Sequence, residues 1–249
     1  MGMTNHHARR LLWEGCCNVR DLGGLRTKDG RETRWGAIVR ADDLAQLTPA
    51  GRAALVAHGV RSIVDLRRPG EAAEAPSPFR EPGRHDVRYH NLSFVDPTAP
   101  PVPVHIPLVE DYKFMLDRYG PQVAAIMRAI DAAPAGGVLV HCVAGKDRTG
   151  IVSGLLLDLA RVPREDISLD YALTAEYRKP LLDRWLAEAE DDDEQRRRQE
   201  EIDLFTPRAE YMEGTLAHLD ERYGGPAEYL RGIGLTSGEV EGLQARLRG

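Results

Sequence analysis

A short apolar run, Val138-Leu-Val140, leads into the polar, glycine-bearing stretch His141-Cys-Val-Ala-Gly-Lys-Asp-Arg148-Thr-Gly150, and an apolar segment follows from Ile151 to Leu159. No other feature constrains the fold as tightly. The short run reads as a buried strand and the longer one, opened by Thr149-Gly150, as a buried helix. The loop between them turns tightly, with Cys142 at its start, Arg148 at its end and five residues between. In such a strand–loop–helix unit the loop amides can converge on one point, and the helix dipole adds partial positive charge there. That is a cradle for a dianion. A cysteine at its base is favoured as thiolate, and the fork of Arg148 can take two phosphate oxygens. The chemistry assembled is attack on phosphorus through a phospho-cysteine intermediate.

The flanking sequence supplies more strands and helices. Trp35 to Arg40 reads as a strand, followed by a turn at Asp42-Asp43-Leu44. Thr48-Pro49 is a helix start with cap and first-turn proline, and Gly59 stops that helix. Val60 to Leu66 reads as a buried strand ending in Asp65-Leu-Arg67-Arg68, with Pro69-Gly70 as a break. A polar, proline-rich segment runs to Asp86, and Val87 to Leu92 is a further strand candidate. Asp96 to Pro107 carries Pro97, Pro100, Pro101, Pro103 and Pro107, a semi-rigid surface loop. Gln122 to Ala132 is helical, with Val123, Ile126, Met127 and Ile130 on one face. The alternation predicts an α/β fold: a mostly parallel central sheet flanked by helices.

After Val162-Pro163 the strands cease. Glu165 to Tyr177 and Leu181 to Ala189 are predicted as two helices broken at Lys179-Pro180. Glu188 to Glu201 is almost wholly charged, a solvated helix or a mobile turn. Thr206-Pro207 opens another helix with Met212, Leu216 and Leu219 on one face, and Thr236-Ser-Gly-Glu239 is a capping box for the last.

The 249 residues suffice for one α/β domain, 1–249. A net charge of −6 gives no reason to expect nucleic acid or an anionic membrane as partner. No apolar run is long enough to span a bilayer. The first ten residues have no apolar signal core, so a cytoplasmic location is expected, with leaderless export left open. Three cysteines, Cys16, Cys17 and Cys142, make neither a disulfide framework nor a zinc site, and the eight histidines show no ligand spacing. No metal and no cofactor is expected. Cys16 or Cys17 could approach Cys142 and form a protective disulfide, or both could be plain structural cysteines. A nucleotide-binding loop is excluded: Val140 stands where its first glycine belongs, and Asp147 where its Ser or Thr does.

His141-Cys-Val-Ala-Gly-Lys-Asp-Arg-Thr-Gly150 resembles the signature loop of cysteine-based protein tyrosine phosphatases, in the bacterial branch of tyrosine/serine, dual- or triple-specificity enzymes. Asn18-Val-Arg20-Asp21-Leu-Gly23-Gly24 is similar to that branch's N-terminal Asn-x-Arg-Asp-x-Gly-Gly motif, and Ile63-Val-Asp65-Leu-Arg67 to its central strand. The likeness runs from about Asn18 to the end. It implies that the loop aspartate, here Asp147, is the general acid. By chain order alone Asp96, Glu110 and Asp111 are rival acids, with Asp65 next. The likeness also implies a helical lid, here residues 164–222; without it these helices would read as surface packing.

Cys142 is then the nucleophile and Arg148 the phosphoryl ligand, while Val143, Ala144, Gly145, Lys146 and Thr149 complete the phosphate cradle. The Thr149 hydroxyl could hydrogen-bond the thiolate or simply cap the helix. Lys146 could bind a second phosphate or acidic group, as in phosphoinositide phosphatases that it resembles, or merely balance Asp147. His141, Asp65, Asn18, Arg20 and Asp21 are expected in support, His141 either orienting the loop or serving as a core histidine. The expected function is a metal-independent phosphomonoester hydrolase acting on phosphotyrosine, with room for phosphoserine, phosphothreonine or phosphoinositide. The alternatives are a phosphatase for a small nucleotide or sugar phosphate and a catalytically silent phospho-binding module.

Overall fold

The run predicted as a strand is the middle of the sheet. In the computed structural model, which describes residues 6–81, 86–100, 104 and 107–248, it forms Gly137–His141 (β5). The other strands among the described residues are Arg20–Asp21 (β1), Ile38–Ala41 (β2), Val60–Asp65 (β3) and Arg88–Asn91 (β4). Their order is β1-β2-β5-β3-β4, with β1 antiparallel to β2 and every other pair parallel. The expected α/β class and mostly parallel sheet are found. The strand predicted at Trp35 to Arg40 is shifted to Ile38–Ala41, because Gly36 has a φ of +69° and ends the turn before it.

Both faces of the sheet are covered, which is why its inner strands are apolar at consecutive positions. Val138 and Val140 face the larger core, and Leu139 faces a smaller one with Val39, Ile63 and Leu55. Leu55 belongs to Pro49–Ala57 (α1), whose N-terminus is capped as predicted, Thr48 Oγ1 accepting from the Gly51 amide at 3.2 Å. The larger core is filled from Leu108–Arg118 (α3), Gly120–Asp131 (α4), Asp147–Leu159 (α5), Ala209–Tyr223 (α8), Pro226–Gly232 (α9) and Ser237–Arg248 (α10). Parallel register brings three strand ends together: His141 lies opposite Ala41 on one side and Asp65 on the other. Loops leaving the carboxyl ends of such strands form the crevice in which α/β proteins bind ligands.

Several expectations change. Pro69-Gly70 does not simply break the chain: Pro69 is the first residue of Pro69–Glu74 (α2), where its missing N–H costs nothing, and the Glu71 carboxylate accepts from the Arg68 amide at 2.6 Å. Lys179-Pro180 does not divide the next helix, which runs unbroken as Arg164–Ala187 (α6). All its buried residues, Ile167 to Tyr177, precede the proline. The carbonyl that Pro180 leaves without a donor is that of exposed Glu176, where water can satisfy it. The charged segment is the helix Asp192–Phe205 (α7), capped by Asp191 and burying no residue. Helices α3 and α9 carry no expectation from the sequence. In the proline-rich loop, Pro101 and Pro103 lie outside the described residues.

Candidate active site

Residues 142–146 connect β5 to α5, and four successive carbonyls of this loop are tied down. His141 Nδ1 donates to the Cys142 carbonyl (3.1 Å), and the Asp43 amide donates to that of Val143 (3.0 Å). Asn18 Nδ2 donates to the carbonyls of Ala144 (3.0 Å) and Gly145 (3.1 Å), and Arg40 reaches Gly145 as well, at 2.9 Å. In a trans peptide the C=O and N–H point opposite ways. Holding these carbonyls from beneath therefore aims the amides of Val143, Ala144, Gly145 and Lys146 away from the protein. None of the four donates to a backbone carbonyl outside regular elements among the described residues. Gly145 makes the turn possible: its φ is +62°, and a Cβ there would lie 2.5 Å from the Ala41 carbonyl oxygen.

Cys142 is buried at the base of this loop. Arg148, the second residue of α5, lies close enough for Cys142 to act on it electrostatically. Burial opposes the guanidinium's charge, yet Cys142, Glu71 and Asp147 together raise its pKa. Glu71 holds it in bidentate fashion, Nη1 to Oε2 at 2.6 Å and Nη2 to Oε1 at 3.1 Å. Burial would raise the Glu71 pKa, but this arginine outweighs it and the carboxyl is held below its ordinary value. A guanidinium has five N–H donors, so the two bonds to Glu71 leave Nε and one proton on each terminal nitrogen for a ligand. Glu71 was not singled out from the sequence. Its signal was a proline at the first helical position followed by Glu at the third.

Asp147 opens α5, and its Oδ1 accepts from the Tyr112 hydroxyl at 2.5 Å, with Lys146 Nζ at 3.4 Å. Tyr112 in turn meets the Tyr171 hydroxyl at 2.6 Å. Burial and the neighbouring carboxylate push the Tyr112 pKa far up, so it is a donor at any ordinary pH. Lys146 is buried, and its ammonium donates to the Phe205 carbonyl at the end of α7 (3.0 Å). Arg148, Asp147, Lys146 and Glu71 line one cavity of about 340 Å³ whose far wall is Leu108, Phe114, Met115 and Tyr119.

Of the rival acids, Asp111 also lines this cavity. Asp96 caps its own turn by accepting from Thr98, and Glu110 pairs with Lys113 on the surface. Asp65 is wholly buried and saturated: Arg67 grips both its oxygens at 2.6–3.0 Å and Tyr89 donates at 2.6 Å. Burial would raise its pKa, but these bonds hold it below the carboxylate range. It serves as an anchor, with Arg67 reaching on to Asp43. His141 lies beside this anchor, Nε2 3.6 Å from Asp65, and burial lowers its pKa. Thr149 is buried as well, and its hydroxyl makes no hydrogen bond to any described residue, neither the bond to Cys142 nor the helix-cap bond that were its two open roles.

The N-terminal motif divides its labour. Asn18 touches the loop, but Arg20 acts through it, donating to Asn18 Oδ1 at 2.6 Å and to Asp170. Asp21 does not approach the loop. Its carboxylate accepts from the amides of Gly23 (2.7 Å) and Gly36 (2.8 Å) and pairs with His58, so it fixes the turns beside β1. Beneath the loop Arg9, Arg20 and Arg40 converge on Asp170, all four at 1% exposure or less. Burial alone would raise the Asp170 pKa; the three guanidiniums drive it far down. Cys16 donates to the Asp43 carbonyl and Cys17 to Asp42. Burial, then Asp42, push both thiols up, Cys17 to about 12, so both are poor nucleophiles; all three cysteines are free.

Residues 11–249 match the tyrosine phosphatase family. A tyrosine-protein phosphatase of Nostoc commune is 36% identical over 85% of this chain and 74% of its own length. The triple specificity protein phosphatase PtpB of Mycobacterium tuberculosis is 30% identical over 94% of this chain and 98% of its own.

Proposed function

The chain belongs to the tyrosine phosphatase family, and from that premise we propose that it hydrolyses phosphotyrosine through a phospho-cysteine intermediate on Cys142. One observation carries the reading: four outward amides and the tethered Arg148 surround a buried cysteine at the carboxyl end of β5. Those donors suit the three non-bridging oxygens of a phosphoryl group and the charge that grows on them in transfer. The Cys142 thiolate attacks phosphorus in line; the S–P bond forms as the P–O bond to the leaving group breaks. Asp147 donates its proton to the departing oxygen. Water then attacks phosphorus, giving its proton to Asp147, and the thiolate leaves.

Tyr112 supports this role for Asp147 by fixing Oδ1, which leaves Oδ2 of this cavity-lining residue free of that bond. The apolar and aromatic residues lining the 340 Å³ cavity favour phosphotyrosine over a polar sugar phosphate. Serine, threonine and phosphoinositide substrates are extensions of the same chemistry, in keeping with a mycobacterial relative that is a triple specificity protein phosphatase. An intact Cys142 and Arg148 speak against a silent binding module. Residues 164–222 act as a lid in this reading, since the end of α7 rests on Lys146.

The test is direct. Cys142→Ser is expected to lose all measurable hydrolysis of a phosphotyrosine peptide while still binding it; undiminished turnover would overturn the mechanism. Asp147→Asn is expected to lose activity chiefly on alkyl phosphates, whose leaving groups need a proton, and far less on p-nitrophenyl phosphate. Equal losses on both would move the acid to Asp111.

A further inference from the structure

Behind Asp147 two buried tyrosines from different helices meet end to end. Tyr112 comes from α3 and Tyr171 from α6; their rings cross at 83° with centroids 6.0 Å apart, and their hydroxyls lie 2.6 Å apart. The Tyr112 hydroxyl also reaches Asp147 Oδ1, at 2.5 Å. Gly150 makes room for the second ring, since a Cβ there would lie 3.0 Å from a Tyr171 ring carbon. Tyr171 follows directly on Asp170, which three buried arginines grip. The chain of hydroxyls therefore ends on a fixed point of α6 rather than in solvent.

Its direction follows from the protons available. Each tyrosine hydroxyl has one proton to give, and an ionised carboxylate only accepts. Tyr112 then donates to Oδ1, and the bond between the hydroxyls is made by Tyr171 donating to Tyr112. In the reverse order, with a proton on Oδ1 given to Tyr112, the Tyr171 proton has no acceptor, because that hydroxyl makes no other hydrogen bond among the described residues. Stranding a buried donor is costly. The Lys146 ammonium, 3.4 Å from the same oxygen, also disfavours a proton there. Resting on the phosphatase reading of the catalytic loop, we propose that Tyr112 and Tyr171 are positioning residues that keep the proton of Asp147 on Oδ2. In the first step that proton passes from Oδ2 to the leaving oxygen as the P–O bond breaks; in the second, water returns one to the same atom. Without the two hydroxyls the proton is divided between both oxygens and the carboxyl can turn, so the acid faces the leaving group less of the time.

The experiment compares phenyl phosphate with p-nitrophenyl phosphate on the full chain. Both bring an aryl ring to the same cavity, but phenol leaves poorly without a proton and nitrophenol does not need one. Tyr112→Phe keeps the ring and removes the hydroxyl. It is expected to raise the ratio of kcat/KM, nitrophenyl over phenyl, about tenfold, the effect of one lost bond to a charged group. Tyr171→Phe is expected to raise it about threefold, and it decides the question if Tyr112→Phe does not fold. In a chain already carrying Asp147→Asn, neither substitution is expected to move the ratio further, because both act through that carboxyl. A folded variant with an unchanged ratio, or a rise that persists in the Asp147→Asn background, overturns the positioning role. If Asp147→Asn alone leaves the ratio where it was, the assignment of the acid fails instead. Failure of the wild-type chain to hydrolyse either ester would overturn the phosphatase reading itself.

Discussion

Glu71 and Arg148 show how a single contact sets the site. A free arginine side chain carries about 2 kcal/mol of rotamer entropy. The bidentate glutamate removes most of that freedom before substrate arrives. Glu71→Gln is expected to lower kcat/KM by about 10-fold to 100-fold, from charge-assisted bonds worth about 1.5–3 kcal/mol, with binding of inorganic phosphate weakened in parallel. A wild-type kcat/KM in this variant would show that the loop positions Arg148 unaided. The residues that do the proposed chemistry were legible because they sit in one continuous stretch, 141–150. Their supports, Glu71, Tyr112, Arg40, Asp43 and Asp170, were not, because nothing in local sequence says which distant side chain will reach under a loop. Thr149 marks the opposite error: its position next to Arg148 suggested a bond that the packed helix does not make.

At the scale of elements, apolar periodicity and capping residues located most helices, and the failures have local causes. Proline was read as punctuation at Pro69 and Pro180, whereas one starts a helix and the other rides inside one. An exposed interior proline still removes a bond. Pro180→Ala is expected to raise stability by up to about 3 kcal/mol, seen as a higher urea midpoint followed by circular dichroism; an unchanged or lower midpoint would mean that the proline costs α6 nothing at this exposed position. Helix α3 escaped notice because it follows the proline-rich loop and its first turn is acidic, so Glu110 and Asp111 drew attention as carboxylates and Tyr112 went unread. Yet Tyr112 is the residue through which α3 reaches Asp147.

For the whole molecule, the dominant oddity is three fully buried arginines sharing one aspartate under the catalytic loop. Removing that aspartate would strand three charges, so Asp170→Asn is expected to cost about 3–5 kcal/mol. Buried and half-buried titratable groups set the pH dependence. The folded chain resists protonating His141, whose pKa burial lowers, so the unfolded chain binds more protons below about pH 6.5 and stability falls from there. Asp170 and Glu71, both held low, contribute stability that is present above the ordinary carboxylate range and is lost as pH falls below about 4. Urea midpoints measured from pH 7.5 to 3.5 should therefore decline in two stages; a flat profile down to pH 5 would remove His141 from the account. The sequence by itself determined the alternation of strands and helices, the Cys142–Arg148 loop and its kinship, since these are written in residues that are neighbours along the chain. The tertiary structure alone decided which side chains hold the loop carbonyls down and which carboxylates are spent as anchors. Most of those outcomes depend on contacts across 77 to 150 residues of chain, where parallel strand register and close packing, rather than local propensity, choose the partner.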